Sequence, residues 1–149
     1  MVKERHKIVP ASYLVLIKDS KILLSRRANT GYEDGKYMMP AGHVENKESF
    51  IQCAIREAKE EAGITVKSED LKVVHVMQRY VENDENGERI DIFIEARKWA
   101  GEIINKEPHK CDDLSWFDLD NIPKNTIPYI REAINNIKSK IFYSEQGLN

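Results

Sequence analysis

Apolar and polar positions in this chain follow two rhythms, one for strands and one for helices. Residues 12–18 (SYLVLIK) form a compact apolar run with β-branched and aromatic members and read as a buried strand. Asp19 and Ser20 make a short turn, and residues 21–26 (KILLSR) read as the returning arm of a hairpin. Residues 29–36, rich in Gly, Asn and Asp, read as a loop, and residues 37–40 (YMMP) as a short strand. The period then lengthens. Ser49 is the expected N-cap of a helix of about four turns, with Gln52 as its capping-box partner and Gly63 as its left-handed C-terminal stop. Residues 71–81 predict a long strand, an Asn86-Gly87 turn follows, and residues 90–96 return beside it. There Ile92 and Ile94 are expected in the core, with Asp91 and Glu95 on a solvated face. Residues 114–119 predict a last strand whose Trp116 and Phe117 close the core. Thr126 is expected to cap a final helix with an apolar stripe of Ile127, Ile130, Ile134, Ile137 and Ile141. The polar tail after Phe142 is expected to be loosely ordered. This order of elements supports an α/β or α+β domain.

The first helix carries an anomaly. With Glu57 at zero on a helical wheel, Glu60 falls near 300° and Glu61 near 40°, at about 100° per residue. The apolar stripe of Ile51, Ala54, Ile55, Ala58 and Ala62 lies beside them, between about 60° and 160°. Three like charges at i, i+3 and i+4 repel one another at the edge of a core face. They also sit in the C-terminal half of the helix, where the macrodipole disfavours anions. Arg56 is a single cation among them. A solvated acidic face is the plain reading of such a ridge. A hard divalent cation shared between carboxylates and phosphate is the chemical one.

The surrounding residues decide between these readings. Residues 42–64 fit Gly-x5-Glu-x7-Arg-Glu-U-x-Glu-Glu-x-Gly-U, with U apolar, at every fixed position: Gly42, Glu48, Arg56, Glu57, Ala58, Glu60, Glu61, Gly63 and Ile64. At roughly 6% usage per residue type, seven identities coincide by chance less than about once in 10⁸ starting points. The chain resembles the Nudix hydrolases, and weaker similarities extend over most of its length.

That resemblance implies an α/β fold, a Nudix-type α/β/α sandwich with a mixed sheet between helices, with residues 1–149 forming one Nudix domain. It implies Mg²⁺ as cofactor, with Mn²⁺ as a substitute. Glu57, Glu60 and Glu61, the Gly42 carbonyl and Glu107 are the implied metal ligands. Glu107 follows a Gly101-Glu102 segment, as the additional downstream acid does in MutT-type relatives. It lies in a run, Asn105-x-Glu107-Pro108-x-Lys110-Cys111, seen in several nucleotide-hydrolysing members. Glu57 is the favoured general base, Arg56 orients the acids, and Glu48 pairs with Arg56. Of the two arginines ending the second strand, Arg27 matches the one that contacts substrate phosphate in MutT-type relatives. Asn125 matches the asparagine that hydrogen-bonds the nucleobase there. Ala41 stands where relatives usually carry glycine. His43 could touch substrate, although a structural role is the simpler reading. The implied reaction splits a nucleoside triphosphate to the monophosphate and pyrophosphate. Hydrolysis of ADP-ribose or another nucleoside diphosphate derivative is the alternative, and a non-catalytic nucleotide-sensing module is a further one.

Composition narrows the partners. The net charge of −2 gives no basic surface for nucleic acid or an anionic membrane. No apolar run reaches membrane-spanning length, and the N-terminus lacks an apolar signal core. Two cysteines, Cys53 and Cys111, make no disulfide framework. The expectation is a cytoplasmic enzyme with a small nucleotide substrate, as monomer or homodimer.

Overall fold

The structure, a computed structural model, describes residues 3–148. Strand β1 (Val9–Lys18) turns through Asp19 and Ser20, both at positive φ, into β2 (Lys21–Arg27). Two short strands follow, β3 (Tyr37–Met38) and β4 (Ala41–His43), and then helix α1 (Phe50–Ala62). β5 (Lys72–Tyr80) and β6 (Glu88–Ala96) form an antiparallel pair, followed by β7 (Cys111–Asp118), α2 (Pro128–Lys138) and β8 (Tyr143–Gln146). The sheet runs β3-β2-β1-β6-β5-β8, with β4 added beside β1 and β7 beside β2. β1 lies parallel to β6 and β8 parallel to β5, while the remaining pairs are antiparallel, so the sheet is mixed.

Both faces of the sheet are covered. Leu14 and Leu16 of β1 pack with Ala54, Ala58 and Ala62 of α1. Tyr13, Val15 and Ile17, on the opposite face, pack with Ile130, Ala133 and Ile134 of α2. The three alanines give α1 a low profile, which lets it lie close against the strands. Each fully buried Leu adds about 1.5–3 kcal/mol of apolar burial. The Ser12 hydroxyl, buried in β1, donates to the Phe50 carbonyl at 2.8 Å and ties the start of α1 to the sheet.

The caps of α1 are as expected. Ser49 accepts from Gln52 N–H, Gln52 accepts from Ser49 N–H, and Gly63 has φ 70°.

Four expectations fail. Thr126 does not cap α2: its hydroxyl donates to the Pro123 carbonyl at 2.7 Å, and the helix starts at Pro128, whose fixed φ suits that position. The helix ends at Lys138, so Ile141 lies outside it and is exposed. The polar tail is ordered as β8, which satisfies the backbone edge of β5. The fully buried His75 ring fastens it, with Nδ1 on the Ile141 carbonyl and Nε2 on the Ser144 hydroxyl, both at 2.8 Å. Asp91 is fully buried, because the face of β6 assigned to solvent is the one α2 covers.

Candidate active site

The turn from β4 into α1 brings the residues of the 42–64 motif together. Arg56 is their centre. It grips Glu48 with two nitrogens, Nε at 2.7 Å and Nη2 at 2.9 Å, and meets Glu57 at 2.7 Å and Glu60 at 3.3 Å. Its Nη2 also donates to the His43 carbonyl at 3.1 Å, which locks β4 onto the helix. Hydrogen bonds from Arg56 hold Glu48 down at a pKa of about 2, and Glu48 in turn raises that of the guanidinium. Arg56 and Glu48 therefore form one hydrogen-bonded group with Glu57 and Glu60.

Gly42 has a steric reason to be glycine. A Cβ there would lie 2.0 Å from Glu57 Oε1. The missing side chain leaves room for Glu57 to lie against the backbone of β4. Ala41, in place of the usual glycine, keeps its N–H aimed at the ridge and donates to Glu61 Oε2 at 2.8 Å. Glu57 is buried and its pKa is raised, chiefly by that burial. Glu61 is raised further, by burial and then by the nearby charges of Glu57 and Glu107. The downstream acid thus reaches the ridge. Glu57, Glu60, Glu61 and Glu107 line one cleft of about 330 Å³, together with Arg27, Lys110 and Cys111.

Among the described residues no three His, Cys, Asp or Glu side chains converge tightly enough to cage an ion alone. A closed cage is not what Mg²⁺ requires, since it keeps waters and shares its ligands with substrate phosphates. The donor set is all hard oxygen, and the acids are crowded enough that ionisation of Glu57 and Glu61 is opposed. Those features fit a divalent cation.

A second cavity of about 350 Å³ opens on the other side of Arg27, Met38 and Ala41, which line both. Tyr13, Arg79 and Tyr129 line it, with Tyr32, His43 and Arg89. Arg79, nearly buried, donates Nε to Asp91 at 2.8 Å and Nη2 to the Tyr13 hydroxyl at 3.3 Å. Its guanidinium carbon sits 3.7 Å from the Tyr129 ring centre. The hydroxyls of Tyr13 and Tyr129 are 2.9 Å apart, and burial pushes Tyr129 up to about 12. The sequence reading passed over Arg79. Its signal is a pair of opposite charges, Arg79 and Asp91, inside two apolar strands covered on both faces.

Arg27 joins the two cavities. The 29–36 loop holds it, with Nε on the Tyr32 carbonyl at 2.6 Å and Nη2 on the Thr30 hydroxyl at 3.1 Å. Arg26 turns away to Asp112 at 2.7 Å, so one arginine of the pair lines the cleft and the other does not. Asn125 lines neither cavity, and its amide donates to the Gly35 carbonyl at 2.8 Å. Cys53 is buried behind the site, its thiol 3.4 Å from the Gly42 carbonyl. No helix among the described residues is long and apolar enough to cross a membrane.

Comparison with known proteins bears on the family and the fold. The chain is 33% identical over 110 residues to an ADP-ribose pyrophosphatase of Methanocaldococcus jannaschii, covering 74% of this chain and 62% of that one. It is 27% identical over 128 residues to the NAD-capped RNA hydrolase NudC of Stutzerimonas stutzeri, covering 82% of this chain and 41% of that one. The chain thus spans less than two thirds of the length of either relative. A crystal structure of a MutT NUDIX hydrolase from Burkholderia pseudomallei superposes with a TM-score of 0.78 at 24% identity, covering 87% of this chain and 98% of that one. The NUDIX domain family model matches residues 8–137, most of the chain, and the protein belongs to the Nudix hydrolases.

Proposed function

We propose that this Nudix hydrolase cleaves a nucleoside triphosphate to the monophosphate and pyrophosphate. The observation that carries the reading is the pairing of one cavity for an organic group with one cleft for phosphates, joined at Arg27. An aromatic cavity of about 350 Å³ suits a single nucleoside. The adjoining cleft offers cations and acids to a polyphosphate.

Glu57, Glu60, Glu61, Glu107 and the Gly42 carbonyl would hold Mg²⁺, or Mn²⁺ in its place. The chemistry a bound ion supplies is neutralisation of phosphate charge and a lower pKa for the attacking water. Glu57, seated against the β4 backbone in the space left by Gly42, would accept the water's proton. Arg56 fixes the orientation of Glu57 and Glu60, with Glu48 holding Arg56 in turn. Arg27 orients the inner phosphate at the junction of the cavities. Asn125 acts through the rim, tying the loop that carries Tyr32 to the segment before α2.

A second reading, hydrolysis of ADP-ribose or a related nucleoside diphosphate derivative, is favoured by the Methanocaldococcus relative. The deciding experiment is a panel of nucleoside triphosphates, ADP-ribose and dinucleoside polyphosphates, with Mg²⁺ and Mn²⁺ series and products resolved by anion exchange. Pyrophosphate release from a triphosphate, abolished by EDTA, supports the main reading. Turnover of ADP-ribose alone overturns it in favour of the second. Metal-dependent binding without turnover would make the chain a sensing module.

A further inference from the structure

The segment Asn105–Cys111 is built as a single stapled turn. The Glu107 carbonyl accepts from the N–H groups of both Lys110 and Cys111, each at 2.9 Å, which is one turn of helix. Residues at i, i+3 and i+4 of such a turn share a face, so Glu107, Lys110 and Cys111 all line the acid cleft. Asn105 closes the turn from both ends. Its amide donates to the Cys111 carbonyl at 2.7 Å, and its side-chain oxygen accepts from Glu107 N–H at 3.1 Å. The turn is also docked beside Arg27. Ala28 N–H donates to the Lys110 carbonyl at 3.0 Å, and the Asn29 amide to the His109 carbonyl at 3.0 Å. A β-bulge between Arg26 and Arg27 sets Arg27 opposite Cys111. Bulges of this kind re-aim side chains beside a site.

The cleft therefore has two cations in different situations. Arg27 is held by the loop and lines both cavities. Lys110 lines the acid cleft and not the tyrosine-lined cavity, and among the described residues it enters none of the ion pairs. We propose that Lys110 is a specificity-determining residue that binds the phosphate farthest from the nucleoside, with Asn105 as its positioning residue. This rests on the nucleotide reading above. A terminal phosphate carries about −1.5 to −2 at neutral pH. Each phosphate of a sugar-capped diphosphate carries about one negative charge, because both are esterified. A compact ammonium with three donors gains more from the former. Lys110 thus favours a triphosphate over an ADP-ribose-like substrate at the same acids.

The test uses the full chain as wild type, Lys110→Ala and Lys110→Arg. Steady-state kinetics are run on the preferred nucleoside triphosphate and on ADP-ribose, with pyrophosphate as product inhibitor. The affinity of an α,β-methylene triphosphate is measured by calorimetry. Removing one charge-assisted contact should lower triphosphate kcat/KM about 10- to 100-fold, mostly through KM. Pyrophosphate inhibition and analogue affinity should weaken in parallel, ADP-ribose kcat/KM should fall far less, and Lys110→Arg should recover most of the loss. An equal loss on both substrates, or unchanged pyrophosphate inhibition, overturns the proposal. If the wild type turns over only ADP-ribose, the triphosphate reading fails instead. Pyrophosphate inhibition of Lys110→Ala then still reports whether Lys110 holds a phosphate.

Discussion

The acid cleft and the arginine–tyrosine cavity share a wall but reach their charges by opposite routes. In the cleft, like charges crowd on one helix, and a single arginine pairs with two of them, Glu57 and Glu60, and with Glu45 and Glu48 ahead of the helix. Burial and neighbouring negative charge raise Glu57 and Glu61 there, and a cation would relieve both. In the cavity, opposite charges from two strands meet in the interior, where Arg79 donates directly to Asp91 Oδ2 and to the Tyr13 hydroxyl while Asp91 Oδ1 has no partner among the described residues. Burial raises Asp91 as it raises Glu57 and Glu61, so the contrast lies in the neighbours: like charges in the cleft and an opposite charge in the cavity.

The largest effect should come from the cleft. Glu57→Gln and Glu61→Gln each remove an oxygen donor and a charge without changing shape. Turnover should fall roughly 10³-fold or more, within the range for loss of a positioned acid or base. Thermal melting should move the other way, at least for Glu61→Gln. The pKa of Glu61 is raised in the folded state, so its ionised form at neutral pH opposes folding, and a neutral amide relieves that. A destabilised Glu61→Gln protein would remove the distinction between the two regions.

The cavity should respond in the opposite sense. Asp91→Ala leaves Arg79 buried without its carboxylate and should cost about 3–5 kcal/mol in urea unfolding. Replacing the whole pair, with Arg79→Met and Asp91→Leu together, should recover most of that stability but not substrate affinity. Recovery of both would mean that Arg79 serves packing alone.

The same contrast explains what could be seen in the sequence. The cleft was legible because its residues fall at fixed spacings over one turn and one helix, so that Gly42, Glu48, Arg56, Glu57, Glu60 and Glu61 carry the pattern. Glu107 and Arg27 needed a family likeness to be noticed, and the structure brings both to the cleft. The cavity was not legible. Tyr13, Arg79, Asp91 and Tyr129 come from four elements, and each looks ordinary alone. Asp91 was misjudged because alternation along one strand cannot say whether its second face meets water or another helix. Strands β1, β2, β5 and β6 and both helices were visible from their periods. β8 was missed because its residues are polar and its stability comes from the open edge of β5 and from His75.

Between these extremes lies the backbone contact of Gly42. Gly42→Ala puts a methyl group where Glu57 now lies, 2.0 Å from Oε1. Glu57 must swing off Arg56, while the helix and strand themselves meet nothing new at that distance. Activity should drop about 10- to 100-fold for a misplaced reacting group, with melting nearly unchanged. A large loss of stability would instead make Gly42 a folding requirement of β4.

The smallest effect is a pH signature of the supports. Glu48 has its pKa lowered to about 2 by hydrogen bonds from Arg56, against an ordinary value of 4.5. A depressed carboxylate stabilises the fold above its unfolded pKa and loses that contribution as pH falls through its folded one. The pairing with Arg56 should therefore act fully above pH 4.5 and fade between 4.5 and about 2. Glu61 runs the other way, since its raised pKa makes stability fall as pH rises above the ordinary carboxylate range. Melting curves of wild type and Glu48→Gln across this window should be separated by a constant gap at neutral pH that narrows on acidification. A gap that stays constant down to pH 2 would show that Glu48 supports the site through shape, and that Arg56 is held by its other acids.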